Sequence, residues 1–186
     1  MSLARVVIGI TGGVAAYKAA ALVSMLAKGD YEVTVVMTES ATKFVGTATL
    51  MALSGRPVVT GMFDPAFPLG PHIEVARRAD LLCIAPATAD FMGKAAHGLA
   101  DDLLSTLYLA FTKPIIMAPA MNREMWAKPV VQRNVEILKQ DGVQMVGPGE
   151  GWLSCRDIGT GRMSEPEEIF HGISTTLADA GSGGVA

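Results

Sequence analysis

Residues 6–37 constrain the fold more than any other stretch. Val6 to Ile10 is a β-branched run, Thr11-Gly12-Gly13 breaks it, Ala15 to Lys28 is rich in Ala and Leu, and Glu32 to Met37 is a second β-rich run. Strand, glycine turn, helix and strand in that order predict a βαβ unit, parallel and right-handed. Gly29 stands where the helix stops and is expected to be its C′ residue. After an irregular middle the rhythm returns. Leu81 to Ala85 reads as a strand, Phe91 to His97 and Leu103 to Phe111 as helices, and Ile115 to Ala118 as a strand. Val130 to Gln140 is then a helix, Gln144 to Val146 a short strand and Glu167 to Ala178 a last helix. This alternation predicts an α/β domain with a three-layer, mainly parallel sheet.

The chain's 186 residues suit one domain over 1–180, with 181–186 a flexible tail. Half the residues are hydrophobic, yet no apolar run approaches the roughly 20 residues of a spanning helix, so no membrane partner is expected. The N-terminus enters a strand without a signal-peptide layout, and Cys83 and Cys155 form no spaced framework. A reduced, cytoplasmic setting is expected. Net charge is −3 with no basic run, which gives nucleic-acid binding no support. With only 18% charged residues, some surface is expected to be buried between subunits.

The strand ends carry the chemistry. Gly12-Gly13-Val14-Ala15 lets backbone amides approach a ligand at a helix N-terminus, where a phosphate is favoured. It lacks the G-x-G-x-x-G spacing and no Walker lysine motif is present, so a mononucleotide is expected rather than NAD or ATP. Thr38-Glu39-Ser40 adds hydroxyls at the next strand end, with Phe44 placed to stack on a flat ring. Ala85-Pro86-Ala87-Thr88-Ala89-Asp90 ends a third strand and Pro119-Ala120-Met121-Asn122-Arg123-Glu124-Met125-Trp126 follows a fourth. Asn122 reads equally as a helix cap or a ligand contact; four such ends in register favour a bound nucleotide. Two further stretches have the length and composition of binding loops or lids. Asp64 to Pro71 carries three prolines and leads into His72; Gly147 to Gly161 carries five glycines and Cys155.

Taken together, Gly12-Gly13-Val14-Ala15-Ala16-Tyr17-Lys18, Pro86-Ala87-Thr88-Ala89-Asp90, Ala100-Asp101-Asp102-Leu103-Leu104, Pro119-Ala120-Met121-Asn122 with Met125-Trp126, and Cys155 with Gly159-Thr160-Gly161-Arg162-Met163 resemble the flavin-containing cysteine decarboxylases. The resemblance runs from about Val6 to Pro166, in the family's order, and is strongest to members that act in coenzyme A biosynthesis. It implies a flavodoxin-like (Rossmann-type) flavoprotein that binds FMN and assembles into homotrimers or multiples of trimers, with the flavin near a subunit interface. Gly12, Gly13 and Val14 would hold the FMN phosphate region, lined further by Thr38, Ser40 and Phe44. Thr88, Ala89, Asp90 and Ala120 would flank the flavin. His72, Asn122 and Cys155 would be catalytic: His72 as the histidine before an Ile-x-x-x-Arg stretch, Asn122 gripping the substrate carboxylate beside Met125, and Cys155 as the lid's proton donor. The implied substrate is an acyl-cysteine, 4′-phosphopantothenoylcysteine, converted to 4′-phosphopantetheine. A peptide ending in cysteine is the alternative substrate, and a non-catalytic flavoprotein regulator the alternative class. Many bacterial relatives continue into a ligase domain, so a separate ligase partner is a further expectation. The family has Asn where this chain has Asp90, and often Ala-Cys-Gly where it has Ser154-Cys155-Arg156.

The implied chemistry answers a specific difficulty. Loss of CO2 from an acylated cysteine leaves a carbanion with no electron sink. Oxidation of the thiol-bearing carbon to a thioaldehyde provides one, and hydride return with protonation then gives the saturated thiol. The blander readings are a surface role for His72, a buried small hydrophobe for Cys83, structural or exposed roles for His97 and His171, and a helix N-terminus for Asp101-Asp102. No metal site is expected.

Overall fold

The first β-rich run folds as β1 (Arg5–Ile10), and the helix and strand that follow as α1 (Ala16–Lys28) and β2 (Glu32–Met37). The structure, a computed structural model, describes residues 3–182. β1 pairs in parallel with β2, from Arg5 opposite Glu32 to Ile10 opposite Met37. The remaining elements are α2 (Thr47–Ser54), α3 (Pro71–Arg78), β3 (Leu81–Ala87), α4 (Ala89–Ala96), α5 (Leu103–Ala110), β4 (Ile115–Pro119), α6 (Arg123–Trp126), α7 (Pro129–Gln140), β5 (Gln144–Met145), β6 (Gly149–Trp152), β7 (Ile158–Arg162) and α8 (Pro166–Ser182). Five strands make one parallel sheet in the order β2-β1-β3-β4-β5, the flavodoxin-like order, while β6 and β7 form a separate antiparallel hairpin. The chain reverses its direction of travel across the sheet between β1 and β3. Carboxyl ends diverge there, which opens a crevice.

Strand residues alternate between two cores. Val6, Ile8, Ile10, Leu81, Cys83 and Ala85 pack with α1, α2 and α8 on one face; Val7, Leu82, Ile84 and Ala87 pack with α3, α4, α5 and α7 on the other. Every residue of β3 is buried, as a central strand covered on both faces requires. Gly9 has a packing reason: a Cβ there would meet Leu104 of α5 at 2.7 Å.

Three expectations need correcting. Gly29 has φ −87°; the left-handed residue that ends α1 is Asp30, φ 61°, and the Tyr31 amide donates to the Leu26 carbonyl at 3.1 Å. Gly29 is small for another reason, since a Cβ would meet the Phe170 ring at 3.2 Å. The middle is not irregular throughout, because it contains α2 and α3. Only Leu50 of α2 is buried, so that helix has almost no amphipathic signal. α3 starts at Pro71, which is pre-set for the first helical position and was legible as a start signal. The glycine-rich stretch expected as a loop is mostly the β6–β7 hairpin. Gly181 and Ser182 close α8, and 183–186 of the expected tail lie outside the described residues.

Candidate active site

Thr11 laces the crevice shut at its floor. Buried at the end of β1, its hydroxyl donates to the Pro86 carbonyl at 2.6 Å and accepts from the Thr88 amide at 3.1 Å. Above it the chain turns through Gly12 and Gly13. A Cβ on Gly12 would overlap the backbone and side chain of Ser40, and one on Gly13 would touch Thr88 at 3.4 Å. Only glycine fits the first position. Ser40 is held in turn by Thr38, whose hydroxyl lies 3.0 Å from the Ser40 Oγ and accepts from the Ala41 amide at 3.2 Å.

Three helices begin at this crevice, and their N-termini differ. Thr88 caps α4 by accepting from the Phe91 amide, and Asn122 caps α6 by accepting from the Met125 amide at 2.9 Å. α1 has no side-chain cap and no acidic residue in its first turn. Its positive end is left for an anion. Asn122 is a helix cap, and because its Oδ1 is committed to the helix, the two N–H donors of its amide are not used by that bond.

The hairpin closes the other side. The Met121 amide donates to the Gly161 carbonyl at 2.9 Å, and Gly161, φ 134°, sits where a Cβ would run into the Met121 carbonyl. Lys18, buried in α1, donates to the Met163 carbonyl at 3.0 Å and pairs with Glu165 at 2.9 Å; Arg162 pairs with the same Glu165 oxygen. That carboxyl is held below its ordinary value, by the Lys18 bond first. Cys155 is exposed in the turn joining the two strands, beside Arg156, whose φ of 65° puts a non-glycine residue in the left-handed region. Cys83 is the opposite kind of cysteine: fully buried, with its thiol pushed up to about 12 by burial.

These parts enclose one cavity of about 660 Å³. Gly12, Gly13, Val14, Ser40, Thr88, Ala89, Asp90, Ala120, Asn122, Met125 and Cys155 all line it. Asp90 is an exposed carboxylate paired with Lys94 at 3.4 Å, and Lys94 also meets Asp101 at 3.0 Å. Three expected residues do not reach this cavity within one chain. Thr38 stands behind Ser40, Phe44 points outward and is half exposed, and His72 lies on α3. The His72 Nδ1 is buried without a hydrogen-bond partner in the described residues. Asp102 caps α5 with Ser105 in a reciprocal capping box, and His97 and His171 are exposed, in line with their blander readings. Among the described residues no His, Cys, Asp and Glu cluster could hold a metal ion.

Sequence reasoning passed over Lys18, Arg162, Tyr17 and Trp152, which also line the cavity. For Lys18 a signal existed: it stands four residues before Leu22, on the apolar stripe of α1, where a lysine needs buried partners. Tyr17 and Arg162 stand in the stretches that carry the resemblance, without a role given to either, and Trp152 gave no signal.

Comparison with known proteins follows the same lines. The Flavoprotein family profile matches residues 1–178. The Coenzyme A biosynthesis bifunctional protein CoaBC of Haemophilus influenzae is 48% identical over 171 residues, which cover 91% of this chain and 43% of that protein. The chain thus spans less than half the length of such curated relatives. Among solved structures, the FMN-dependent cysteine decarboxylase SpaF superposes with a TM-score of 0.84 at 35% identity, covering 97% of this chain and 98% of that one. A cysteine-to-serine mutant of PPC decarboxylase complexed with pantothenoylaminoethenethiol superposes with a TM-score of 0.82 at 32% identity, covering 93% and 97%.

Proposed function

The chain belongs to the Flavoprotein family, and from that premise we propose that it is an FMN-dependent decarboxylase converting 4′-phosphopantothenoylcysteine to 4′-phosphopantetheine in coenzyme A biosynthesis. One observation carries the reading: a single cavity joins an anion cradle, a neutral amide donor on Asn122 and the thiol of Cys155. The cradle fits FMN, because the α1 N-terminus is uncapped and Gly12, lacking a Cβ, lets the turn lie close against Ser40. Bound there, FMN would supply the electron chemistry, as a reversible hydride acceptor for the thiol-bearing carbon.

The protein's own residues do the rest. Gly12, Gly13, Val14 and Ser40 hold the phosphate end, with Thr38 fixing the Ser40 hydroxyl; Thr88, Ala89, Asp90 and Ala120 flank the ring system. Asn122 donates to the substrate carboxylate while staying neutral, so it orients the leaving group without over-stabilising the ground-state anion. Met125 supplies apolar contact beside it. Cys155 gives its proton to the carbon adjacent to the one that receives hydride, and the hairpin keeps water away from that step.

His72 and Phe44 enter through assembly. In a homotrimer or a multiple of trimers, each would face the cavity of a neighbouring copy, where His72 can take part in proton transfer. Support comes from the exposure of Phe44, Met51, Phe63 and Leu69, all between β2 and α3. Phe63 is 93% exposed in the isolated chain. A ligase activity, on a longer form of the chain or on a separate partner, would supply the acyl-cysteine.

Oxidative decarboxylation of a peptide's C-terminal cysteine is the second reading, motivated by the altered hairpin tip Ser154-Cys155-Arg156; the chain is also similar to SpaF, an FMN-dependent cysteine decarboxylase. That likeness barely exceeds the one to PPC decarboxylase, whereas identity to the coenzyme A protein reaches 48%. Retention of Cys155 also favours complete reduction to a thiol. The test is release of labelled CO2 from carboxyl-labelled 4′-phosphopantothenoylcysteine by protein carrying FMN. Release from this substrate and not from a cysteine-terminated peptide is expected; the reverse preference overturns the assignment.

A further inference from the structure

Asn122 and Cys155 sit on separate pieces of structure, one on the turn into α6 and the other at the tip of the β6–β7 hairpin. The root of the hairpin is well tied, by Met121 to Gly161 and by Lys18 to Met163. Its tip needs a fastening of its own. Arg123, the residue after Asn122, reaches it: Nε lies 3.0 Å from Asp157 Oδ2 and donates to Glu124 Oε1 at 2.9 Å, and Nη1 donates to the Ile158 carbonyl at 3.5 Å. Asp157 is itself pinned to the hairpin, since its Oδ1 accepts the Ile158 amide at 2.8 Å and its carbonyl accepts the Leu153 amide at 2.8 Å. The stem of Arg123 fills the space over Gly159, where a Cβ would come within 2.8 Å of Cδ and 3.0 Å of Cβ.

We propose that Arg123 is a positioning residue that clasps the hairpin tip to the substrate-binding turn and thereby sets Cys155 against the carbon it protonates. The inference rests on the decarboxylase reading. An exposed ion pair alone contributes little to stability; here the pair is joined to a steric slot that admits the arginine stem only because residue 159 has no side chain. The raised pKa of Arg123 is consistent with its placement. It comes from the Glu124 hydrogen bond first, then from the charges of Asp157, Glu124 and, more weakly, Cys155. Releasing the clasp lets the thiol drift, and a displacement of about 1 Å at a reacting group is enough to cost roughly 100-fold in its step.

The test uses FMN-loaded Arg123→Ala, Asp157→Asn, the double variant and Arg123→Lys. Two readouts are taken: the ratio of oxidised enethiol to 4′-phosphopantetheine, and hydrogen exchange of residues 153–161. In air, where dioxygen reoxidises the FMN left reduced, each single variant should raise the ratio of oxidised enethiol to 4′-phosphopantetheine by up to about 100-fold while CO2 release stays near wild type. The double should be no worse than either single, because both break one interaction, and Arg123→Lys should recover part of the loss. Exchange should quicken at 153–161 and stay unchanged in β3. A wild-type product ratio in both single variants, or effects that multiply in the double, overturns the clasp. If the wild-type protein makes neither product, the decarboxylase reading fails separately, and exchange still decides: faster at 153–161 upholds the clasp, unchanged refutes it.

Discussion

Gly12 and Cys155 face the same cavity from opposite kinds of structure. Gly12 hangs on β1, whose residues 6–10 are buried in two cores, and its neighbours are fixed by hydroxyl bonds from Thr11 and Thr38. Cys155 sits at the exposed tip of a two-stranded hairpin outside the main sheet, which is held by three ion pairs and two glycine contacts. The cradle inherits its rigidity from the sheet; the hairpin has to make its own. A cofactor that stays bound suits the first. A thiol that must meet substrate, act and let product leave suits the second.

The comparison is broken most severely at the cradle. Gly12→Val should leave the protein folded but lower FMN content at least tenfold, because the new side chain overlaps Ser40. Flavin content is read by absorbance after purification, and a fully yellow variant would contradict the cradle. At the junction of the two regions, Asn122→Ala should cut turnover by about 100- to 1,000-fold, the usual cost of a lost charge-facing donor, with FMN retained. Loss of the Oδ1 cap should also cost about 1 kcal/mol of stability, which a denaturation midpoint would register. At the hairpin, Cys155→Ser assayed in air, where dioxygen reoxidises the reduced flavin, should still release CO2 and shift the product to the oxidised enethiol; normal 4′-phosphopantetheine output would remove the cysteine from proton transfer.

The sequence was informative where one local rule decides the outcome. The β1–α1–β2 unit, the parallel sheet and ten of the eleven expected cavity residues belong to strand ends and glycine turns that recur in one register, while Cys155 enters through the resemblance. What escaped depends on tertiary context. α2 buries only Leu50, so no period marks it, and the C-terminal turn of α1 places its left-handed residue on Asp30 beside a glycine that had a different task. Phe44 is read from its place after the second strand end and His72 from the loop before it together with the resemblance, and in one chain neither reaches the cavity. Arg162 and Trp152 line it only because the hairpin folds over, which no local pattern announces.

The smallest expected effect lies far from the cavity. Arg5 and Lys113 pair with Asp80, and the hydrogen bonds from Arg5 lead in lowering that carboxyl from 3.8 to about 2. A depressed carboxylate contributes stability above its unfolded value and loses it as pH falls through the folded one. Arg5 is 43% exposed, so solvent screening leaves roughly 1 kcal/mol of this contribution at pH 7. Asp80→Asn should therefore lower stability by that amount at pH 7, and its deficit should shrink between about pH 4 and pH 2. A deficit independent of pH would assign the effect to packing. FMN content should not change, since the sheet's amino edge does not touch the cradle.

Mass spectrometry of the product formed from 4′-phosphopantothenoylcysteine tests the central claim most directly. Loss of CO2 alone, giving 4′-phosphopantetheine with FMN regenerated, is the predicted result. Loss of CO2 together with two hydrogens would contradict it, because the hairpin cysteine would then not complete the reduction and the coenzyme A assignment would give way to an oxidative enzyme.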